Sequence, residues 1–176
     1  IKTDPTNETT SNILLVTTLV CGQTGAIENL SGIHEILRKS VSRCTLHFDA
    51  TQTVEKIPVS FAAINATSLT FAPHKFCGPR RIGCLLVQKR WIYAALYSSQ
   101  HLEIRGGTEP LALITGCQEA VRRAMTRQKV ESLRLKTLKN TFESIICEHA
   151  RRVGVTPVII CQSAPRSPHI TTIAFS

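Results

Sequence analysis

Short apolar runs alternate with helical patterns along this chain, and this alternation restricts its fold more than any other feature. The runs at 12–20, 45–50, 68–72 and 83–88 are rich in β-branched residues and typical of strands, and we expect the first to be buried on both faces. Between the first two runs, Ile33, Ile36, Leu37 and Val41 follow helical spacing, and Ser31 is positioned to cap that helix. With a crossover starting at Pro58, the pattern predicts an α/β fold with a largely parallel sheet.

The sequence after Pro110 changes to helical periodicity. It predicts a short helix and then one long amphipathic helix, whose apolar stripe includes Val130, Leu133, Leu138, Phe142, Ile145 and Ile146. The segments 155–161 and 169–175 return to strand spacing. We therefore expect a polar N-terminal extension at 1–11, part of a large domain at 12–128, and at 129–176 the long helix with the start of a small α+β domain.

Cysteine usage and hydropathy favour an intracellular protein. Seven cysteines are spread without a CxxC pair, and most lie in apolar sequence, as in "LVCG" and "IGCLLV". This pattern is typical of reduced, buried thiols, and it favours neither a disulfide framework nor a metal site. No apolar run is long enough to cross a bilayer. We expect a reducing compartment, with the mitochondrial matrix favoured and the cytoplasm as the alternative.

Positive charge is concentrated in the predicted long helix. The chain carries 21 Lys and Arg against 12 Asp and Glu, a net charge of +9. Within the stripe between residues 122 and 139, Glu131 is the one acidic residue among seven cations: Arg122, Arg123, Arg127, Lys129, Arg134, Lys136 and Lys139. Such a stripe is either the solvated face of a helix or a surface for phosphates, as in RNA.

Two polar residues follow neighbouring predicted strands. Asp49 closes the strand in "TLHFD", and Lys75 lies just beyond "SLTFA". If the strands are parallel, both residues lie at the same edge of the sheet, where α/β proteins bind ligands. A carboxylate and an amine placed in this way suit pyridoxal 5'-phosphate, whose aldehyde reacts with a lysine and whose pyridine nitrogen is held protonated by an aspartate. The alternative is an Asp that caps a turn and a solvated Lys.

Four segments, in order, resemble the cysteine desulfurase and selenocysteine lyase family of class-V aminotransferase-like enzymes. They are "LVCGQTGAI", "HFDATQTVEKIPVSF", "LTFAPHKFCGPRRIGCLLVQKR" and "RGGTEPLALITG". The resemblance implies a pyridoxal-phosphate-dependent enzyme that removes sulfur or selenium from an amino acid to leave alanine. It also implies a three-layer α/β/α large domain, incomplete here, that continues into the small domain.

The resemblance assigns roles to five residues. Lys75 would form the imine with the cofactor and is the catalytic residue, and His74 would help to hold the phosphate. Asp49 would pair with the pyridine nitrogen, Gln52 would hydrogen-bond the phenolic oxygen, and Thr108 would reach the phosphate bound by a second subunit. These roles imply a homodimer with shared sites, and a sulfur-acceptor or scaffold protein as a partner.

The chain also departs from the family pattern. Ala72 and Pro73 replace a phosphate-binding Ser and a Gly, Gly22 replaces the Asn that contacts the phenolic oxygen, Gln23 replaces a Glu, and "SSQHLE" replaces a glycine-rich segment. Each lost bond to a charged partner is worth about 1–3 kcal/mol. By resemblance, the phosphate loop would precede this sequence and the persulfide-forming cysteine would follow it. Cys77 and Cys84 flank Lys75 and are expected to serve packing rather than catalysis. The alternative function is a catalytically degenerate structural or assembly subunit, for example of an organellar ribonucleoprotein.

Overall fold

The computed structural model describes residues 13–40, 44–88 and 107–176. These ranges contain a four-stranded sheet, a two-stranded sheet, two α-helices and one short 3₁₀ turn. Over the described ranges, neither helix has a stretch that is both long and apolar enough to cross a membrane. The predicted extension at 1–11 and the segment "SSQHLE" lie outside the described residues.

The larger sheet contains four strands in sequential order: β1 (Ile13–Thr18), β2 (Cys44–Asp49), β3 (Ser68–Phe71) and β4 (Cys84–Val87). The first three strands are parallel, and β4 runs antiparallel to β3. The α/β fold with a mostly parallel sheet is thus confirmed. Since β2 and β3 are parallel neighbours, their carboxyl ends lie at the same edge of the sheet, as the Asp49 and Lys75 prediction requires.

One face of this sheet forms the main core with helix α1 (Leu30–Ser40). Leu46, Phe48 and Leu69 are buried in this cluster, and Ile33 and Leu37 of α1 pack against it. The helix begins one residue before the expected cap, because the Asn29 side chain, rather than that of Ser31, accepts a hydrogen bond from the Gly32 amide at 3.2 Å. The prediction of Ser31 as the cap was therefore wrong.

The opposite face of the sheet carries apolar side chains without cover from the described residues. Leu14 and Val16 of β1 are 62% and 58% exposed, and Leu85 of β4 is 47% exposed. The prediction that the first strand is buried on both faces is thus wrong for the described part of the chain. The physical reason is that both helices contact the sheet through side chains of its other face: α1 contacts the cluster around Leu69, and α2 contacts Phe71 and Cys84.

Helix α2 (Leu111–Arg152) is a single helix of 42 residues, not the predicted short helix followed by a long one. Gly116 does not break it, because its missing side chain makes room for the ring of Pro79; a Cβ there would lie 3.2 Å from the Pro79 Cγ. The predicted domain boundary after residue 128 falls inside this helix. The side chains of Ala120 and Ala124 pack against Phe76, so α2 supports the segment that carries Lys75.

The C-terminal segment forms a two-stranded antiparallel sheet, β5 (Pro157–Ile159) and β6 (Ile173–Phe175). Both strands are shorter than the runs 155–161 and 169–175. The residues between them return to the loop after β1, where the Ser167 amide donates to the Gly25 carbonyl at 2.7 Å and the Ile27 amide donates to the Pro165 carbonyl at 2.9 Å. These bonds bring residues 165–169 next to the larger sheet.

Candidate functional site

Lys75 and His74 lie in a 3₁₀ turn, Pro73–Phe76, which we call the lysine turn. Pro73 begins the turn and is buried with Phe76, whereas His74 and Lys75 are exposed. The turn closes through Cys77, in the left-handed region at φ 65°, and through a bond from the Gly78 amide to the Pro73 carbonyl. The ring of Pro73 fixes its own φ at the start of this turn, and the exposed Lys75 side chain leaves its amine accessible.

Gly78 makes the lysine turn possible. A Cβ at this position would lie 2.6 Å from the Pro73 Cβ and 2.8 Å from its carbonyl oxygen, closer than nonbonded atoms approach. The same Cβ would lie 3.0 Å from the Ala120 side chain on α2. The turn is therefore held tightly between its own proline and the helix.

Asp49 and Gln52 follow β2 at the same sheet edge. Asp49 is half-buried, and its Oδ1 accepts a bond of 2.8 Å from the Thr51 amide. This bond is the turn contact expected from the non-catalytic interpretation, but it uses one carboxylate oxygen. The chain turns tightly through Ala50, whose carbonyl accepts from the Thr53 amide, and so brings the Gln52 side chain into the site.

The Gln52 side chain contacts a residue that sequence reasoning missed. His169 Nε2 lies 3.3 Å from Gln52 Oε1, and its Nδ1 lies 2.8 Å from the Oγ of Ser167, which is fully buried. Gln52 and His169 are 117 residues apart. On the other side of Gln52, a Cβ at Gly22 would lie 3.5 Å from its Nε2.

The positive charges of three lysines act on His169. Burial and then the positive charges of Lys56, Lys139 and Lys75 lower the pKa of His169 to about 4, so the ring is neutral at physiological pH. Lys56 is itself paired with Glu55 at 2.7 Å. The neutral ring can donate through one nitrogen and accept through the other.

An ion pair attaches the His169 segment to α2. Both oxygens of Glu143 accept from Arg166, at 2.7 and 3.0 Å, and each side chain is 11% exposed. Arg166 lowers the pKa of Glu143 through these bonds. Nearby, Lys139 Nζ donates to the Ser167 carbonyl at 2.7 Å, and burial lowers the pKa of Lys139. The sequence offered one signal for this pair, a glutamate on the helix face that also carries Ala120, Cys147 and Ala150.

The remaining predicted residues lie just before helix α2 and along it. Thr108 is exposed and precedes α2 by three residues. Of the basic stripe, Arg122 and Arg123 both bind Glu119, which the sequence interpretation did not pair with them, and Arg134 binds Glu131. The two arginines lower the pKa of Glu119 to about 2. Lys139 is engaged with Ser167, whereas the other three are exposed: Arg127, Lys129 and Lys136.

All seven cysteines are free thiols. Cys117 and Cys147 are buried, but Cys77 is exposed, which departs from the expectation of buried thiols. Cys84 lies 3.3 Å from Cys117, sulfur to sulfur, so its contacts are those of packing between β4 and α2. Within the described ranges, no group of three or more His, Cys, Asp or Glu residues is arranged to hold a metal ion.

Comparison with known proteins identifies the family. Residues 6–176 match the aminotransferase class-V family. The chain belongs to this family. Class-V aminotransferases and cysteine desulfurases depend on pyridoxal 5'-phosphate.

Individual relatives point in the same direction. The cysteine desulfurase IscS of Enterobacter sp. (strain 638) is 33% identical over 125 residues, which cover 69% of this chain and 30% of the relative. A NifS-like protein of known structure superposes with a TM-score of 0.81 at 23% identity, over 93% of this chain and 44% of that one. A NifS-like protein from Rickettsia africae gives a TM-score of 0.82 at 20% identity, over 91% and 43%. This chain thus spans less than half the length of these relatives.

The described residues fit the family's cofactor in part of its site. Lys75 supplies an accessible amine, Asp49 a half-buried carboxylate, and Gln52 a carboxamide beside Gly22. Thr53, 1% exposed, has a buried hydroxyl without a partner among the described residues. The phosphate end is less complete, because Ala72 and Pro73 offer no hydroxyl.

Proposed function

We propose that this chain is the lysine-bearing portion of a pyridoxal-phosphate-dependent enzyme of the cysteine desulfurase type, which removes sulfur or selenium from cysteine or selenocysteine to leave alanine. The observation that carries this proposal is that Asp49, Gln52 and the lysine turn follow two parallel neighbouring strands at one sheet edge, where Gln52 contacts His169 across 117 residues. Neither a solvated charged helix nor an Asp that only caps a turn would require these side chains to lie together.

Each residue has a defined task in this proposal. The Lys75 amine, on a turn that begins with Pro73, would hold the cofactor; once the substrate amine displaces it, the free amine would be placed to exchange a proton at the substrate's α-carbon. The Asp49 carboxylate keeps the pyridine nitrogen protonated, and the Gln52 NH₂ group donates to the phenolic oxygen. His74 contributes to phosphate binding. The cofactor, once bound, supplies the electron sink.

The assembly implied by this function extends beyond the chain. We propose a homodimer in which Thr108, exposed just before α2, reaches the phosphate bound by the other subunit. A sulfur-acceptor or scaffold protein would receive the product sulfur. The seven free thiols are consistent with a reducing compartment, the mitochondrial matrix or the cytoplasm.

Absorbance spectroscopy tests the proposal. Pyridoxal phosphate added to the protein should produce a visible absorbance band that remains after gel filtration and dialysis. Lys75→Ala should abolish this band, whereas Lys129→Ala, a matched change of an exposed lysine on α2, should leave it unchanged. A band that persists in Lys75→Ala means that another amine holds the cofactor. No band in the whole protein, of which this chain is the lysine-bearing portion, means that the cofactor site has been lost.

A non-catalytic assembly subunit that binds RNA is the alternative. Ala72, Pro73 and Gly22 favour it, because each removes a polar contact that the family makes with the cofactor. The charge pattern favours it less than the sequence suggested, because four of the seven cations have protein partners: Arg122, Arg123, Arg134 and Lys139. RNA binding that weakens steeply with salt, together with no visible cofactor band, would support this alternative.

A further inference from the structure

The orientation of the Gln52 carboxamide decides whether it attracts or repels an ionised phenolic oxygen. An amide has a donor end, NH₂, and an acceptor end, the oxygen, and only the donor end stabilises an anion. By the family resemblance, Gly22 occupies the position of a second donor, an Asn. The orientation of Gln52 therefore matters more here than in a site with two donors.

The contact with His169 sets this orientation. The Gln52 oxygen lies 3.3 Å from His169 Nε2, and because an amide oxygen can only accept, Nε2 must carry the proton. Burial and the neighbouring lysine charges lower the pKa of His169 to about 4, so the ring is neutral and has one N–H. Its Nδ1 is then a bare acceptor for the hydroxyl of Ser167, 2.8 Å away.

Ser167 is in turn fixed by the backbone around it. It is fully buried, its amide donates to the Gly25 carbonyl at 2.7 Å, and its carbonyl accepts from Lys139 at 2.7 Å. Because both its backbone amide and its backbone carbonyl are hydrogen-bonded, Ser167 presents its hydroxyl from a constant position. The hydrogen bonds therefore run in one direction, from Ser167 to His169 and from His169 to Gln52.

The donor end of Gln52 lies beside Gly22. A Cβ on Gly22 would be 3.5 Å from the Gln52 Nε2, and glycine has no side chain to compete for this donor. Lys75 lies close enough to His169 to lower the pKa of its ring, so the reactive amine belongs to the same neighbourhood.

We propose that His169 is a positioning residue whose Nε2–H holds the oxygen of Gln52, so that the Gln52 NH₂ group faces the phenolic oxygen of the cofactor. This inference rests on the proposed function. It gives the His169–Ser167 pair a role in a site where Gly22 leaves Gln52 without the family's second donor. His169 does not contact the reacting atoms in this scheme and acts through Gln52.

The first test needs no cofactor. Nitrogen-15 NMR of the side chain should show His169 as the neutral Nε2–H tautomer between pH 6 and 8. A neutral Nδ1–H tautomer would reverse every bond in the series, turn the Gln52 oxygen towards the site and overturn the proposal. So would a ring that titrates near pH 6.5 with a free, averaged tautomer.

The second test uses the visible band of bound pyridoxal phosphate. A donor to the phenolic oxygen stabilises its ionised form and lowers the pH at which the band changes. His169→Leu should raise this pH midpoint by about one unit, the effect of losing one hydrogen bond to a charged acceptor. His169→Gln, which retains an N–H donor, should restore most of the shift, and His149→Leu, at an exposed position on α2, should cause none.

A double-variant comparison identifies the route of the effect. Gln52→Ala should raise the midpoint by a similar amount, and adding His169→Leu to it should cause no further shift, because both changes remove the same donor. A normal band with an unshifted midpoint in His169→Leu would refute the inference alone. Failure of the unaltered protein to form any band would refute the proposed function, and this inference with it.

Discussion

Loss of the Glu143 carboxylate should destabilise the fold, because this carboxylate neutralises a nearly buried guanidinium. In Glu143→Gln the two bonds of 2.7 and 3.0 Å to Arg166 are reduced to one bond to a neutral oxygen, while Arg166 stays in place at 11% exposure. Breaking a fully buried pair costs about 3–5 kcal/mol. Because Arg166 keeps some access to water and one acceptor, we expect about 2 kcal/mol, or a fall in Tm of about 4–8 °C for a chain of this size.

Thermal unfolding followed by circular dichroism measures this loss. The control is Glu148→Gln, which breaks the Glu148–Arg152 pair on the same helix, where the side chains are 59% and 73% exposed; its Tm should change by no more than about 2 °C. Arg166 lowers the pKa of Glu143, so the carboxylate stabilises the fold above its unfolded pKa of about 4.3, and this stabilisation is lost as the pH falls through the folded pKa. The difference in Tm between wild type and Glu143→Gln should therefore be full at pH 7 and disappear in strong acid. Equal losses in the two variants at pH 7 would refute the argument.

Three further predictions concern the site and its supports. Asp49→Ala should retain the visible band of bound pyridoxal phosphate but lose sulfur release from cysteine by the whole protein, and equal turnover would refute the electron-sink role. Gly78→Ala should lower the free energy of unfolding in urea by about 1–3 kcal/mol, because its Cβ would lie 2.6 Å from a carbon of Pro73. Gly83→Ala, whose Cβ would have its nearest neighbour at 3.8 Å, should be tolerated. Similar costs for the two variants would show that the turn relaxes around the new side chain. Burial, with hydrogen bonding to the Cys117 thiol, raises the pKa of Cys84 to about 12. Iodoacetamide at pH 8 should therefore alkylate the exposed Cys77 and spare Cys84, and mass spectrometry would identify the labelled cysteine. Equal labelling of the two cysteines would contradict this prediction.

Local sequence was sufficient to predict the sheet edge that carries Asp49 and Lys75. Each of the four strand runs became a strand, and the parallel pairing of β2 with β3 placed both residues at one edge. This worked because strand spacing is a local pattern, and because parallel neighbouring strands, which the strand and crossover pattern predicts, end at the same edge of a sheet. The cap of α1 was predicted less well, since Asn29 and Ser31 are both good caps and the choice between them depends on where the chain leaves the preceding loop.

Long-range contacts could not be predicted in this way. His169 contacts Gln52 across 117 residues, and nothing in the local pattern of "SPHITT" indicates a buried, neutral ring. The continuity of α2 was also not predicted. Gly116 costs a helix only about 1 kcal/mol relative to Ala, and a Cβ there would lie 3.2 Å from the Pro79 ring, a contact that the local sequence does not show. In both places the deciding interaction comes from a segment that is distant in sequence.

Helix α2 connects the parts of the site that the sequence treats as separate. At Ala120 and Ala124 it packs against Phe76 of the lysine turn and against Val54, in the turn that follows Gln52. About four turns further along, Lys139 and Glu143 bind Ser167 and Arg166, which position His169. A continuous helix fixes the separation of these supports, whereas the two helices predicted from the sequence would let them move relative to each other. The geometry between Lys75 and His169 therefore depends on the integrity of α2 as much as on the residues in the site itself.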